Sequence, residues 1–287
     1  MSTTSTSPPK LAALGFCGAD DSVNHRHLIL LGKSYPIVEW GILFRPDKEG
    51  EPRYATRQWV CRLAELLKQS DSSSSIRLAA HLCGSHVNNL LSSSTDTTCA
   101  DDIDTFLKEL YNWGFRRVQV NATAVNGVNT EQLGEKVTIQ SFLRTTKAHP
   151  NLEFIVQKNE ETFPLWNGLL QQEMLPGNIV FLHDESKGTG KETSAWSTES
   201  QFVTSSRKIV GYAGGIKPQN VGKVAQDTMK ACQESGGSEF WIDMESGVRS
   251  KMLGVNGKDE AIDIFDLSKC YECIDTICEL GLLEHPK

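Results

Sequence analysis

The sequence has no segment that could span a membrane. Hydrophobic residues make up 39% of the 287 residues, but no apolar run approaches the roughly 20 residues that a transmembrane helix needs. The N-terminus has neither the basic region nor the apolar region of a signal peptide. These absences predict a cytoplasmic protein with no membrane partner.

An excess of positive charge is also missing. The chain has 29 Lys and Arg against 36 Asp and Glu, which gives a net charge of -7. Nucleic acids and anionic membrane surfaces attract proteins with the opposite balance. We therefore expect no nucleic acid partner, although a local basic patch around an anionic substrate is compatible with this composition.

Cysteine pairs with the spacing of a disulfide framework or a zinc site are absent. The eight cysteines are scattered without secretory context, which favours reduced thiols. Cys270, Cys273 and Cys278 fall near one face of a helix predicted from Ala261 to Leu280, and no second ligand pair has suitable spacing for zinc. We expect these thiols to pack in the core, and we predict no metal site and no cofactor.

Nucleotide-binding motifs are absent as well. No G-x-G-x-x-G follows the first predicted strand, as a dinucleotide-binding doubly wound sheet would require. Gly188 to Lys191 is similar to the end of a P-loop, but Glu185 occupies the first glycine position and Glu192 replaces the required Ser or Thr. This stretch is therefore not predicted to bind a nucleotide.

Short apolar runs typical of buried strands recur along the chain. They cover 11–16, 37–44, 76–82, 115–120, 152–157, 178–183, 208–213 and 239–244. Between most of them lie segments with helical spacing of apolar residues, such as 57–69, 101–114 and 220–232. Strands that alternate with helices imply parallel pairing, and eight of them predict a closed (β/α)8 TIM barrel. An open doubly wound sheet is the alternative.

The domain organisation follows from composition. Residues 1–10 have the Ser, Thr and Pro content of a disordered tail. We expect residues 11–287 to form a single barrel domain. The low-complexity patches 70–75 and 92–98 are predicted to be surface loops.

Two glycine-containing turns follow the seventh and eighth predicted strands. Gly214 and Gly215 end one run, and Ser246 and Gly247 follow the other. Backbone N–H groups in such turns attract anions. Because β/α barrels often bind phosphate with the loops after strands seven and eight, the stretch from Lys208 to Gly257 predicts a phosphate site. Ordinary turn glycines are the alternative explanation.

Polar residues end most of the predicted strands. In a β/α barrel the reacting groups stand at the C-terminal strand ends. These positions hold Cys17, Arg45, His81 to Cys83, Asn121, Gln157, Asp184 and Asp243 to Gly247. A thiol, an imidazole and carboxylates beside a phosphate cradle suit acid-base catalysis.

The strand-end motifs follow a recognisable order. They are Gly15 to Gly18, Gly41 to Phe44 with Pro52 to Tyr54, Val118 to Ala122, Leu182 to Asp184 with Gly188 to Gly190 and Trp196, Ala213 to Ile216, Asp243 to Val248, and Asn256 to Asp259. Over nearly the whole ordered chain, this series resembles the phosphoribosylanthranilate isomerase family, β/α barrels of tryptophan biosynthesis.

The resemblance implies an Amadori rearrangement of a small phosphorylated sugar. Cys17 would act as the general base at ribose C2, with its thiol pKa lowered by positive potential, and Asp184 would protonate the ring oxygen. Arg53 would bind the anthranilate carboxylate or the phosphate. Gly215, Ser246 and Gly247 would hold the phosphate. A monomer or a homodimer is expected.

The sequence departs from the family pattern at several positions. Asn121-Ala122 replaces His-Gly, Glu245 replaces a serine beside the phosphate site, and Arg249 replaces a glutamate. A turn of Glu245 away from the ligand, or pairing with Arg249, would relieve its repulsion of phosphate. His81 is polar where the family is mainly apolar. The alternatives are a non-catalytic phosphosugar-binding barrel, or another phosphosugar isomerase or epimerase with His81 as base.

Each assigned residue also has a structural explanation. Cys17 could be a small core residue and Asp184 the cap of the next loop. Arg53 could be a solvated surface arginine.

Overall fold

The computed structural model describes residues 7–69, 76–92, 97–184, 186, 192–193, 195–203, 209–253 and 261–284, without the side chains of 97–101. Eight parallel strands close into a barrel in sequence order. The strands are β1 Lys10–Cys17, β2 Val38–Phe44, β3 Arg77–Leu82, β4 Arg117–Val120, β5 Glu153–Lys158, β6 Ile179–Asp184, β7 Ile209–Ala213 and β8 Glu239–Met244. The predicted (β/α)8 barrel is thereby confirmed.

Helices pack around the barrel. They are α1 His25–Ser34, α2 Arg57–Gln69, α3 Ser85–Leu91, α4 Thr97–Asn112, α5 Lys136–Ala148, α6 Phe163–Leu170, α7 Val221–Glu234 and α8 Leu267–Glu279. The bounds of α2 are those predicted, because its apolar residues recur at helical spacing and its buried face includes Trp59, Leu63 and Leu67. Within the described residues, no helix is both long and apolar enough to cross a membrane.

The predicted helix from Ala261 to Leu280 is wrong in its first part. Ala261–Phe265 is a strand, β10, which pairs antiparallel with β9, Arg249–Leu253. Helix α8 starts only after Asp266, whose side chain accepts a hydrogen bond from the N–H of Ser268 and so caps the helix. The predicted core packing of Cys270, Cys273 and Cys278 is confirmed.

Three other sequence predictions concern segment ends. β1 begins at Lys10, one residue earlier than predicted. Thr97 and Thr98 belong to α4, so the loop predicted over 92–98 is wrong at its end. The patch 70–75 and residues 1–6 of the tail lie outside the described residues.

The barrel interior is more polar than the branched apolar filling common in this fold. An apolar layer that includes Ile155, Val180 and Trp241 occupies its middle. Below it, the Arg117 guanidinium lies 2.7 Å from both Glu39 and Glu153 and stacks 4.3 Å from the Trp241 ring. A second polar layer stands above it, at the C-terminal strand ends.

Candidate active site

A cavity of about 60 Å³ opens at the C-terminal ends of the strands. Eight of the ten predicted site residues line it: His81, Asn121, Asp184, Gly214, Gly215, Glu245, Ser246 and Gly247. Gln119, Gln157 and Asp243, which were not among the ten, line it as well. Gln157 and Asp243 are each the last but one residue of their strands, and their place near the predicted strand ends was the sequence signal for them.

Cys17 stands at the end of β1, beside this cavity and behind His81. Its Sγ lies 3.0 Å from His81 Nδ1, and the residue is only 1% exposed. It packs against Leu43 and Cys83. His81, not Cys17, lines the cavity, so the thiol reaches the cavity through the imidazole.

The expected lowering of the Cys17 pKa is wrong. Burial raises the pKa of this thiol well above its usual value, and the negative charges of Glu245 and Asp243 raise it further. Burial is the main cause, and the carboxylates act in the same direction, so the predicted positive potential does not lower the pKa of Cys17.

Two glycines on β1 and β2 make room for the polar cluster. A Cβ on Gly15 would lie 2.3 Å from Asp243 Oδ1, and a Cβ on Gly41 would lie 2.9 Å from His81 Nε2. Any larger residue at either position would displace these side chains. Gly15 and Gly41 therefore make space in the barrel interior, whereas Gly18, with φ of 85°, belongs to the turn after β1.

Burial also shifts the titration of His81 and Asp243. It lowers the pKa of His81 to about 3, with help from the positive charge of Arg117. Burial raises the pKa of Asp243 to about 7, and the negative charges of Glu39 and Glu245 add to the effect. Near neutral pH these shifts favour the uncharged imidazole of His81 and the protonated form of the Asp243 carboxyl more than their ordinary pKa values would.

Asp184 is held on the far wall of the cavity, at the end of β6. Its Oδ2 accepts a hydrogen bond of 3.1 Å from Gln157 Nε2, and its Oδ1 accepts bonds from Ser186 N at 3.1 Å and Ser186 Oγ at 2.5 Å. The bond from Ser186 N is the local loop contact that the capping explanation predicts. The bond from Gln157 comes from the neighbouring strand and fixes the carboxylate at the cavity wall.

The two glycine turns pack directly against each other. Gly214 and Gly215 have φ of 125° and 65°, which favour glycine. A Cβ on Gly247 would lie 1.9 Å from the carbonyl oxygen of Ile216. The close approach of the two backbones places Gly215 and Ser246 on one rim of the cavity, where the phosphate site was predicted.

Arg53 lies on the same rim and pairs with acidic side chains. Its Nη1 is 2.8 Å from Glu245 Oε1 and 3.4 Å from Ser246 Oγ, and its Nε is 3.3 Å from Asp263 Oδ2. The side chain is 33% exposed. Arg53 thus directly neutralises Glu245, whereas the sequence had suggested Arg249 for this task.

Arg249 instead joins the loops around the mouth. It lies 2.8 Å from Asp20 and 2.9 Å from Asp263 and donates to the carbonyl of Gly18. Asp20 also accepts a bond of 2.6 Å from the backbone N–H of Arg53, which holds Arg53 at φ 82°. This network connects the loops after β1 and β2 with the β9–β10 hairpin.

The cavity is small for a sugar. Pockets for small molecules usually have volumes of about 300 to 1,000 Å³, against about 60 Å³ for this one. A pentose phosphate would therefore fit only if it also occupied the space above the cavity and displaced part of the rim. The ion pair of Arg53 with Glu245 is part of this rim, and both side chains are partly exposed.

Some predicted features are not described by the structure. The Gly188 to Gly190 loop and the Asn256 to Asp259 motif lie outside the described residues. Trp196, which follows the first of them, packs edge to face on Tyr212 with ring centroids 5.8 Å apart.

Comparisons with known proteins give similarities to solved structures only. No family model and no curated protein matches the chain. D-psicose 3-epimerase from Clostridium cellulolyticum H10 is 13% identical, with a TM-score of 0.45 over 86% of this chain and 88% of that one. A putative sugar phosphate isomerase/epimerase from Anabaena variabilis is 8% identical, with a TM-score of 0.45 over 81% and 84%.

A third similar structure has a different activity. It is a xyloglucan-specific endo-beta-1,4-glucanase of family GH5 from a metagenomic library, 12% identical, with a TM-score of 0.44 over 94% of both chains. At such identities and TM-scores these likenesses carry no argument about the chemistry of this chain.

Proposed function

We propose that this chain is an isomerase that moves a proton on a small sugar-type substrate at the C-terminal mouth of the barrel. The observation that supports it is the placement of the Asp184 carboxylate, held by Gln157 and Ser186, on the same cavity as His81 and the glycine rim. Positioned acid and base groups are what proton transfer between neighbouring carbons requires.

The specific reaction we propose is an Amadori rearrangement of a phosphoribosyl amine, as the resemblance implies. It needs two groups on opposite sides of the sugar. Strand β6, with Asp184, lies across the closed barrel from β2, which is flanked by the strands of Cys17 and His81. In this reaction Asp184 protonates the ring oxygen. The resemblance assigns the proton at C2 to Cys17, whose thiol would first have to pass its own proton to His81 Nδ1, 3.0 Å away.

The phosphate end of the substrate would bind at the glycine rim. Gly215, Ser246 and Gly247 offer backbone N–H groups and a hydroxyl there, and Arg53 lies 3.4 Å from the Ser246 hydroxyl. Arg53 would have to exchange Glu245 for the phosphate, because its Nη1 now pairs with that carboxylate.

Steady-state assays with phosphoribosylanthranilate test this proposal. We expect turnover by the wild type and a fall of roughly 10² to 10⁴-fold in kcat for Asp184→Asn and Cys17→Ala. Cys61→Ser, on the outer helix α2, is the matched thiol control and should keep the wild-type rate. An inactive wild type, or variants as fast as the wild type, would contradict the reaction.

A non-catalytic phosphosugar-binding barrel is the second candidate. The raised pKa of the buried Cys17 thiol favours it, because the expected base is then protonated while the glycine rim still lines the cavity. Calorimetry with D-ribose 5-phosphate would then show binding while a panel of pentose phosphates shows no turnover. Measurable turnover of any of them would exclude this candidate.

A further inference from the structure

Three side chains at the C-terminal strand ends bring possible metal-ligand atoms together beside the cavity. Cys17 on β1, His81 on β3 and Asp243 on β8 each offer one ligand atom, and these atoms lie within 4.8 Å of one another. A thiol, an imidazole and a carboxylate are the three ligand types that zinc takes in proteins. The three residues are far apart in sequence, and only barrel closure brings them together.

The distances are close to those of metal ligands. Zinc bonds of about 2.3 Å to sulfur and about 2.0 to 2.1 Å to nitrogen place two tetrahedral ligand atoms about 3.5 Å apart. Cys17 Sγ and His81 Nδ1 are 3.0 Å apart. An outward shift of roughly 0.5 Å would convert this hydrogen-bonded pair into a ligand pair, which side-chain rotation supplies without backbone movement.

The surroundings of the cluster are built for these side chains. Gly15 and Gly41 leave the space that Asp243 and His81 occupy, since a Cβ on these glycines would come within 2.3 Å and 2.9 Å of the two side chains. Asp243 lines the cavity and finds no hydrogen-bond donor among the residues that the structure describes. Asp243 is partly exposed to the cavity, and a carboxylate that has no donor partner is free to coordinate a cation.

We propose that Cys17, His81 and Asp243 bind one zinc ion, with a fourth coordination position open to the cavity. The soft thiolate favours zinc over magnesium or calcium. Three protein ligands with an open fourth position are the arrangement of catalytic rather than structural zinc sites. The open position faces the cavity because His81 and Asp243 line it, and about 60 Å³ has room for a metal-bound water.

This site does not rest on the proposed reaction, and in the zinc-bound chain it would replace the role proposed there for Cys17. The sulfur would be a thiolate ligand, and another group would have to take the proton from C2. A zinc ion held by these residues would supply a Lewis acid for a substrate oxygen. Metal binding is measured without turnover, so failure of the zinc site and failure of the isomerase reaction are distinguishable.

Zinc titration of the metal-free full chain tests the site. The protein is dialysed against a chelator and titrated with zinc in competition with a chromophoric chelator, and the bound metal is measured by elemental analysis. We expect one zinc per chain, and an affinity at least about 100-fold weaker in Cys17→Ser and in Asp243→Asn, since even the partners of ligands change affinity 10 to 100-fold.

Cobalt substitution tests whether Cys17 is a metal ligand, and a variant of Cys83 serves as the control. The wild type loaded with cobalt should show thiolate-to-cobalt charge-transfer absorption, which Cys17→Ser loses. Cys83→Ser is the matched control, because Cys83 is equally buried and packs against Cys17 but lies outside the cluster. It should keep both the absorption and the zinc affinity.

The thermal unfolding midpoint keeps the test valid if a variant folds poorly. Zinc should raise the midpoint of the wild type and of Cys83→Ser, but not that of Cys17→Ser or Asp243→Asn. A wild type that binds no stoichiometric zinc, or Cys17→Ser and Cys83→Ser with equal zinc affinity, would overturn the site. Bound zinc that Cys17→Ser loses supports the site whether or not the isomerase assay succeeds.

Discussion

Glu245 and Arg53 face each other on the rim of the cavity, with 2.8 Å between Oε1 and Nη1. Withdrawal from water raises the pKa of Glu245, and the positive charge of Arg53 opposes that shift. Glu245 stands where the family that the motifs resemble has a serine. The Glu245 carboxylate pairs with the Arg53 guanidinium, which a phosphate would need as its own partner. We therefore expect Glu245 to control which ligands bind at the rim.

Replacing the carboxylate should therefore strengthen phosphate binding. In Glu245→Gln the Arg53 guanidinium loses its ionic partner at the cavity, and the repulsion of an anion by the carboxylate disappears. We expect D-ribose 5-phosphate to bind about 10-fold more tightly, because the pair is partly exposed and solvent screens it. Isothermal calorimetry at low ionic strength measures the change.

A surface pair provides the control. Glu109→Gln removes the exposed partner of Arg57 on α4 and should leave the affinity unchanged. Equal affinities of Glu245→Gln and the wild type for D-ribose 5-phosphate would contradict phosphate binding at this rim.

Among the structural elements, the β9–β10 hairpin determines how the loops around the mouth are arranged. Its Arg249 reaches the β1–α1 loop at Asp20, and its Asp263 reaches Arg53 in the β2–α2 loop. Because the guanidinium of Arg249 is only 2% exposed, the contact with Asp20 is a buried ion pair. Loss of one partner of such a pair is costly, since the other charge stays buried.

Asp20→Asn should destabilise the protein at neutral pH. Burial acts to raise the pKa of Asp20, but hydrogen bonds from Ser22 and the backbone N–H of Arg53, together with the charge of Arg249, lower it overall. A lowered pKa means that the carboxylate stabilises the fold above the unfolded value of about 3.9, and that this contribution is lost as pH falls towards the folded value. We expect a loss of about 3 kcal/mol at pH 7.

Urea unfolding at several pH values checks this prediction. The difference between wild type and Asp20→Asn should shrink as the pH falls below about 4. Asp21→Asn is the neighbouring control, because Asp21 accepts its hydrogen bonds from Thr56 at an exposed position. A difference that stays constant down to pH 3 would exclude the ionic explanation.

For the whole molecule, the barrel interior combines two polar layers with one apolar layer between them. The lower polar layer consists of Arg117 between Glu39 and Glu153. It lies at the opposite end of the barrel from the cavity and does not line it, but the charges of Arg117 and Glu39 act on the pKa values of His81 and Asp243. Its three charges come from β2, β4 and β5 and connect strands that are not all neighbours.

Arg117→Met should lower the free energy of unfolding by about 3 to 5 kcal/mol, because the two carboxylates remain buried without their shared cation. Chemical unfolding measures it. The triple variant Arg117→Met, Glu39→Gln and Glu153→Gln should recover much of the loss. If it were as unstable as the single variant, packing rather than charge would be the cause.

The ion pair of Arg57 on α2 with Glu109 on α4 is exposed, so it shows what the loss of such a pair costs without burial. Arg57→Met removes the partner of Glu109 and should change stability by less than about 1 kcal/mol. A loss as large as that of Arg117→Met would show that burial does not set the cost.

The local pattern of the chain was sufficient to predict the strands and several helices. The barrel strands are short, mainly apolar runs that are buried over most of their length, whereas apolar residues in the helices recur at spacings of three and four. The pattern failed at Ala261–Phe265, where the apolar and polar alternation of a short strand runs directly into a helix. There the pairing partner, β9, lies before it in the chain and decides the outcome.

Residue type and position at strand ends were enough to place most of the site, since parallel strands in a closed barrel all end on one face. Contacts across the barrel were not predictable: Cys17 meets His81 across 64 residues, and Arg53 meets Glu245 across 192. Only barrel closure and loop packing decide which side chains share the buried space, and that burial, rather than residue type, sets the protonation of Cys17, His81 and Asp243.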